Sequence, residues 1–486
     1  MKLSNIFKKT EIDLTTGSTK VLLKKFILFS LPILLVGILE LLYNSFDLIV
    51  VQQHDGAQYG AAVGSNGALI SLITNAFVGL SVGVNVVVSR YYGKNDKDGA
   101  ERALHTGLIL AFISGIILAI IGYFCSRQFL IWMMVKKEYL DIASSYLSIY
   151  FLSTPFMLIY NFGASIFRGM GNSTKPLIFL LISGALNVCL NYLFVFGFNM
   201  KEIGVATSTV ICQAHSAVLV IVFLYYNKGF ASFSFKKLKI YKEELIKIVQ
   251  IGLPSGLEGV IFSISNVMLQ ASVNGWPIDV IAANTDAANI EMYTYTCMFA
   301  IASATPSFIS ANLGKGNKKN IYKLEVISLV LVALVGIIIG YISLALSDNL
   351  LKIYMGNKFN PDIVKYAKER MYVVLGTYFI CGLMDTQTSV LRGLGYSFIP
   401  MIFTLLGCCV FRIIWDNFVY SPIEGNPMHS LGILYMCYPI SWTVSFLLEL
   451  ITFFVIKKLW TKKCDNNALL YAENNKLEVE QVENKN

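Results

Sequence analysis

Residues 28–51 read LFSLPILLVGILELLYNSFDLIVV, and this run decides what kind of molecule the chain makes. It is apolar over about the 20 residues that a helix needs to cross a bilayer. Within it stand Glu40, Asn44 and Asp47, whose spacing i, i+4, i+7 puts them on one face of a helix. A carboxylate in hydrocarbon is costly, so it must face protein or a water-filled cavity. Two on one stripe predict a polar pathway inside a helical bundle.

The rest of the 486-residue chain agrees. It is 55% hydrophobic and only 14% charged, where soluble domains average about 25% charged. Long apolar runs recur throughout, which predicts a polytopic helical membrane protein. They lack the period-two alternation of a β-barrel. Met1 to Thr19 is polar and the first apolar run is too long for a cleavable signal peptide. The nine cysteines fall mostly inside apolar runs, with neither C-x-x-C nor metal-ligand spacing, and read as small core residues. The net charge of +9 comes from basic residues clustered in connections, which points to membrane topology rather than nucleic acid.

Twelve spans are expected, at 26–50, 60–91, 103–124, 142–167, 177–198, 204–226, 245–271, 279–312, 321–346, 365–391, 397–420 and 430–457. Lys2, Lys8, Lys9, Lys20, Lys24 and Lys25 precede the first span. Later even connections hold Arg90, Lys94 and Lys97, then Lys228, Lys236, Lys237, Lys239 and Lys242, then Lys315, Lys318 and Lys319. The positive-inside rule then makes both termini cytoplasmic, against the minority signal of Lys136, Lys137, Lys352 and Lys358.

The chain also repeats itself. Leu31-Pro32 returns as Leu253-Pro254 and Asn44 as Asn266, while Gly93-Lys94 returns as Gly314-Lys315. Arg168-Gly169-x-Gly171 and Pro176 return as Arg392-Gly393-x-Gly395 and Pro400. Repeats of this size are typical of secondary transporters. Six spans per copy make the copies parallel: an all-α integral membrane fold of two six-helix bundles related by a pseudo-two-fold axis along the membrane normal. The expected organisation is a cytoplasmic N-terminal segment (1–25), an N-terminal bundle (26–226), a cytoplasmic linker (227–244), a C-terminal bundle (245–458) and a disordered cytoplasmic tail (459–486).

These landmarks resemble the multidrug and toxic compound extrusion (MATE) family over about residues 15 to 458. The residues that carry the resemblance are Leu31-Pro32, Tyr43-Asn44-x-x-Asp47, Ala62-Val63-Gly64, Gly79-Leu80-Ser81-x-Gly83 and Arg168-Gly169-x-Gly171-Asn172-Ser173. The second half adds Gly252-Leu253-Pro254, Ala287-Ala288-Asn289-Ile290-Glu291, Leu391-Arg392-Gly393-Leu394-Gly395-Tyr396 and Tyr438-Pro439-Ile440-Ser441. The resemblance implies a secondary antiporter in a bacterial inner membrane. It would need no cofactor, would act as a monomer, and would exchange protons or sodium for small organic cations or amphipathic drugs by alternating access.

It also implies site residues. Asp47 matches the family's span-one aspartate, which would bind the coupling ion; the alternative is a structural carboxylate bonded to a neighbouring amide. Asn187 and Asn191 lie one turn apart where the family often has Asn-x-x-x-Asp, so a second carboxylate is missing here. They read either as ligands or as amide contacts between helices. Glu40 stands where relatives often have glutamine, either as a second titrating group coupled to Asp47 or as a packing residue. In the second half Glu291, Asp385 and Glu258 are the candidate cation or substrate residues. Asp286, nearer the outer end of its span, reads as solvated. Arg412 and Asp416, i and i+4 in span eleven, are expected to neutralise each other as a structural pair. Aromatic side chains such as Tyr43 are candidates for contacting a cationic drug.

Two other classes compete with an exporter. A lipid-linked oligosaccharide flippase of the wider superfamily would favour a basic cavity, whereas the charges inside these spans are mainly acidic. An enzyme would need a nucleophile or metal constellation, and His54, His105, His215 and His429 are scattered. No G-x-x-x-x-G-K-[ST] loop for ATP is present.

Overall fold

A computed structural model describes residues 11–227, 229–355, 361–420, 423 and 430–483. Lys2, Lys8, Lys9, Lys228, Lys358 and His429 lie outside them. Among the described residues the secondary structure is helical, with no strand. The chain divides into two compact units. One holds Leu31–Gly256 with residues 11–14 and 474–483; the other holds Thr15–Ser30 and Leu257–Glu473.

In the first unit α1 (Thr19–Asp55) is followed by α2 (Ala57–Ser65), α3 (Gly67–Lys94) and α4 (Lys97–Trp132). Then come α5 (Lys137–Phe151) and α6 (Thr154–Gly169), which form one span bent by 50°. Pro155 at the start of α6 supplies a preset helical φ there. α7 (Thr174–Tyr192) runs into a π-helical turn, Leu193–Gly197, and α8 (Lys201–Tyr225) closes the unit. Its core joins Val84, Val88, Leu104, Phe162, Phe167 and Phe179. α9 (Lys242–Val273) contributes Ile248 and Ile251 to that core. There α3 approaches α9 backbone to backbone: a Cβ on Gly83 would stand 2.3 Å from the Ile248 carbonyl oxygen. Small residues permit such contact where lipid gives helices no hydrophobic reason to associate.

The second unit continues with α10 (Ile278–Lys315), α11 (Lys318–Ala345), α12 (Ser347–Met355) and α13 (Pro361–Leu394). α14 (Phe398–Thr404), a π-helical turn Leu405–Val410 and α15 (Phe411–Phe418) make one broken passage, followed by α16 (Leu431–Val455). Each of the twelve expected spans coincides with helix. By length and apolar composition nine described helices suffice to cross a membrane, or ten with the bent α5–α6 pair. α10 and α13, which carry Glu291, Arg370, Asp385 and Arg392, are not among them. They pack along each other and shelter these charges in protein.

The polar linker after α8 is tied to the first unit: Ser234 bonds His105 through both its backbone groups, and the Lys237 ammonium reaches the Glu101 carboxylate at 2.5 Å. The segment expected to be a disordered tail is helix α17 (Lys457–Glu483). Its first turns dock on the second unit, where Trp460 and Cys464 are fully buried and the Asn467 amide donates to the Leu313 carbonyl at 2.8 Å. Buried apolar surface there outweighs the polar composition that suggested disorder.

Candidate functional site

In the first unit the polar residues of α1, α7 and α8 meet. Tyr43 lies flat on Gly184, where a Cβ would stand 1.8 Å from its ring, so α1 and α7 come close enough for their side chains to bond. One turn further on, the Asn191 amide donates to Asp47 Oδ1 at 2.6 Å and to Asn187 Oδ1 at 3.2 Å. Ser208 on α8 donates its hydroxyl to the Asn191 carbonyl oxygen. Every hydrogen-bonding group of the Asn191 amide is thus used, which fixes its orientation. Asp47, Asn187 and Asn191 are all buried. No basic side chain among the described residues pairs with Asp47. A buried carboxylate held only by neutral groups can accept a proton or a hard cation, for which oxygen donors are suited.

Glu40 and Asn44 are not part of this network. Both are exposed, and neither forms a hydrogen bond among the described residues. Glu40 feels instead the charge of Arg168, the arginine of the repeated Arg-Gly-x-Gly motif. The stripe read from the sequence is real, but only its Asp47 end is enclosed.

In the second unit two of the three candidate acids carry an arginine. Arg370 grips Glu291 with both ends of its fork, Nε to Oε1 at 2.9 Å and Nη2 to Oε2 at 2.7 Å. Its third donor reaches Asn284, which also accepts the Tyr435 hydroxyl. Such bidentate geometry is the strong form of the pair. Glu258 receives Arg392 Nη2 at 2.7 Å and the Thr404 hydroxyl at 3.2 Å. Asp385 has no such clamp; the Tyr295 hydroxyl faces it, and the charges of Glu258 and Arg392 act on it. Asp286, half-buried, joins none of these groups.

The expected Arg412–Asp416 pair does not form. Arg412 donates from Nε to Ser441 at 3.2 Å, and from Nη1 to Ser265 at 3.1 Å and Asn266 at 3.0 Å. Asp416 accepts the Ser272 hydroxyl on both oxygens, at 2.7 and 2.8 Å. The helix spacing permits the pair, but partners on α9 and α16 outbid it by lying closer to each side chain.

Sequence reading missed three contributors. Arg370 stood inside an expected span, where a charge is itself a signal. Glu449 in Leu447-Leu448-Glu449-Leu450 was the same signal; it is fully buried and accepts the Thr388 hydroxyl at 2.8 Å. Ser208 carried none, because hydroxyls are common in membrane helices.

The MatE family model matches residues 32–193 and again 254–417, starting at the two repeat-related prolines. The chain is 22% identical to the probable multidrug resistance protein YoeA of Bacillus subtilis (strain 168) over 433 residues, which are 87% of this chain and 91% of that protein. It is 21% identical to the multidrug export protein MepA of Staphylococcus saprophyticus over 381 residues, 77% of this chain and 80% of that one. Its fold is that of MATE solved in complex with MaL6, with a TM-score of 0.83 at 19% identity, covering 92% and 99% of the two chains. An outward-facing multidrug resistance MATE family transporter of the MOP superfamily superposes with a TM-score of 0.82 at 20% identity, over 92% and 99%. With one family model matching both halves of an all-helical, multi-pass membrane protein, the chain belongs to the MatE family of multidrug and toxic compound extrusion transporters.

Proposed function

We propose that the protein exports amphipathic, often cationic organic compounds in exchange for protons or sodium ions, with the Asp47–Asn191–Asn187–Ser208 network as its coupling site. The observation that carries this reading is the burial of Asp47 against neutral partners alone. An ion-paired carboxylate, like Glu291, has its charge already met. Asp47 does not, so loading and unloading a cation changes the local charge and can be tied to a change of state. Asp385, with Tyr295 beside it, is the corresponding open acid of the second unit. The relatives named for multidrug resistance and multidrug export support drug-like cargo and speak against a lipid-linked oligosaccharide flippase. In this reading the protein sits in the cytoplasmic membrane with both termini inside and works as a monomer without a resident cofactor.

The test is ethidium efflux from cells and from proteoliposomes with defined ion gradients. Efflux should stop when the driving gradient is dissipated while ATP remains, and Asp47→Asn should abolish it. Full efflux in the Asp47→Asn protein would overturn the coupling site, and efflux persisting without either gradient would overturn exchange.

A further inference from the structure

Two buried acids of the second unit stand apart from the residues already placed. Glu449 on α16 is fully buried, and Glu325 on α11 is 4% exposed. Neither is paired with a basic side chain among the described residues. The Thr388 hydroxyl donates to one oxygen of Glu449 at 2.8 Å, and the other oxygen, also buried, has no donor. Glu325 Oε1 is buried without a donor as well. Gln387, fully buried on α13, faces Glu325, yet neither end of its amide has a hydrogen-bond partner among the described residues. Polar groups held this way inside a membrane protein are costly unless a proton, or a water with several polar neighbours, completes them.

A ring contact makes the two acids neighbours. Tyr322 and Phe453 meet edge to face at 5.9 Å, which joins α11 to α16 near the end where α16 runs into α17. Glu325 stands three residues after Tyr322, and Glu449 four before Phe453. Each acid therefore lies about one turn deeper on the face that makes the contact. Trp460 of α17 closes over the pair, 5.1 Å from Tyr322 and 5.4 Å from Phe453. The Tyr322 hydroxyl is buried without a partner, and the Lys457 ammonium stands over its ring at 5.6 Å. On the deeper side, Asp385 precedes Thr388 by one turn of α13, and the charges of Glu258, Asp385 and Arg392 act on Glu449. Glu258 and Arg392 already bond each other. Asp385 and Glu449 are then the two acids there without an arginine. Polar groups follow one another from Asp385 past Thr388 to Glu449 and Glu325, and stop beneath a cap of three aromatic rings.

We infer that Glu449 and Glu325 form a proton-binding station, bridged by water at Gln387, that passes a proton between Asp385 and the capped end of the second unit. In the export reading this is the inner end. Each step moves one proton along a hydrogen bond. The O–H of Asp385 breaks as an O–H forms on Glu449, and Asp385 is left as the carboxylate. Glu449 hands the proton to Glu325 in the same way. Glu325 gives it to the Tyr322 oxygen while that hydroxyl releases its own proton to water, since a phenol both donates and accepts. No other reactant is needed. The inference rests on the export reading and supplies the route by which the open acid of the second unit is emptied; the titration of the station itself does not depend on export.

The test follows the infrared absorption of protonated carboxyl groups in the purified full-length protein as pH is raised, beside proton-driven ethidium efflux from sodium-free proteoliposomes. A carboxyl C=O band that vanishes on titration and shifts in D2O should be present in the native protein and missing from Glu449→Gln. Glu449→Asp should move that band, so the reading survives a Gln variant that fails to fold. Glu449→Gln and Glu325→Gln should each slow efflux about tenfold with the KM for ethidium unchanged. Glu449→Asp, which keeps an acid, should retain part of the rate, and formate, a diffusible acid, should restore part of it to Glu325→Ala. Native rates in both Gln variants, a band that no Glu449 variant alters, or losses that neither Asp nor formate relieves would overturn the station. Efflux driven by sodium and indifferent to pH would overturn it too and leave export standing. A band lost in Glu449→Gln from a protein that exports no ethidium would support the station and sink the export reading.

Discussion

The Asn191 amide reaches the Asp47 carboxylate at 2.6 Å, across the contact between the first helix and the seventh. The resemblance to the MATE family implies an acid at this position, and here it is an amide. One carboxylate and one amide therefore share what a pair of acids could do, and the site has a single charge to give up.

Replacing Asn191 by Asp restores the second carboxylate beside Asp47. Two acids at that distance titrate as a coupled pair. The pH dependence of proton- or sodium-driven ethidium efflux in Asn191→Asp proteoliposomes should broaden and shift to higher pH. An unchanged profile would show that Asp47 and residue 191 do not share an ion.

Ser208→Ala removes the donor that orients the Asn191 carbonyl. The amide is then free to turn, and a neutral hydrogen bond of about 1 kcal/mol is lost. Efflux should fall about fivefold at low coupling-ion concentration and recover at saturation, because affinity is affected before turnover. Initial rates across a range of pH and sodium concentration would check this.

The Glu291–Arg370 pair offers a stability test. Removing one partner strands a buried charge and should cost about 3–5 kcal/mol. Arg370→Met and Glu291→Gln should each lower the unfolding temperature in detergent markedly, while the double variant recovers most of the loss. Equal losses in all three would mean that the pair is not coupled.

A double-mutant cycle separates the observed contacts of Arg412 from the expected ones. Coupling between Arg412 and Asp416 should be near zero, below about 0.5 kcal/mol, whereas Arg412 and Asn266 should couple by about 1.5–3 kcal/mol as a charged hydrogen bond. Thermal or urea unfolding of the four proteins in each cycle gives the numbers.

The docked start of the last helix depends on packing more than charge. The exposed Lys318–Asp465 bridge is worth about 0–1 kcal/mol, whereas Trp460→Ala, emptying a fully buried site, should cost about 3–5 kcal/mol. Gly316 has φ +79° and lies against Ala468, so Gly316→Ala should also loosen the helix. Hydrogen exchange over residues 457–467 should be slow in the native protein and fast in both variants.

The helices and their repetition were legible because hydrophobic length and spacing are properties of the chain itself. Asp47 stood out for the same reason: a carboxylate among apolar residues has few explanations. What stayed hidden was pairing across helices. Glu291 looked open because Arg370 lies far away in sequence, and Arg412 looked paired because Asp416 lies close by. Local spacing over-weights near neighbours, whereas packing brings α9, α13 and α16 to the same side chains. Trp460 was likewise invisible as an anchor, since a single aromatic in a polar segment says nothing of the surface it will meet.

The π-helical turn at Leu405–Val410 also bears on how this protein can change over time. A π-helical turn takes up one extra residue while leaving the helix beyond it on the same face. Deleting one codon there would restore ordinary winding and leave Arg412 on its shelf of Ser265 and Asn266. The same deletion elsewhere in this passage has no such absorber and would turn Arg412 by about 100°. The turn therefore marks the one place in this passage where the chain can shorten without losing the contacts of Arg412.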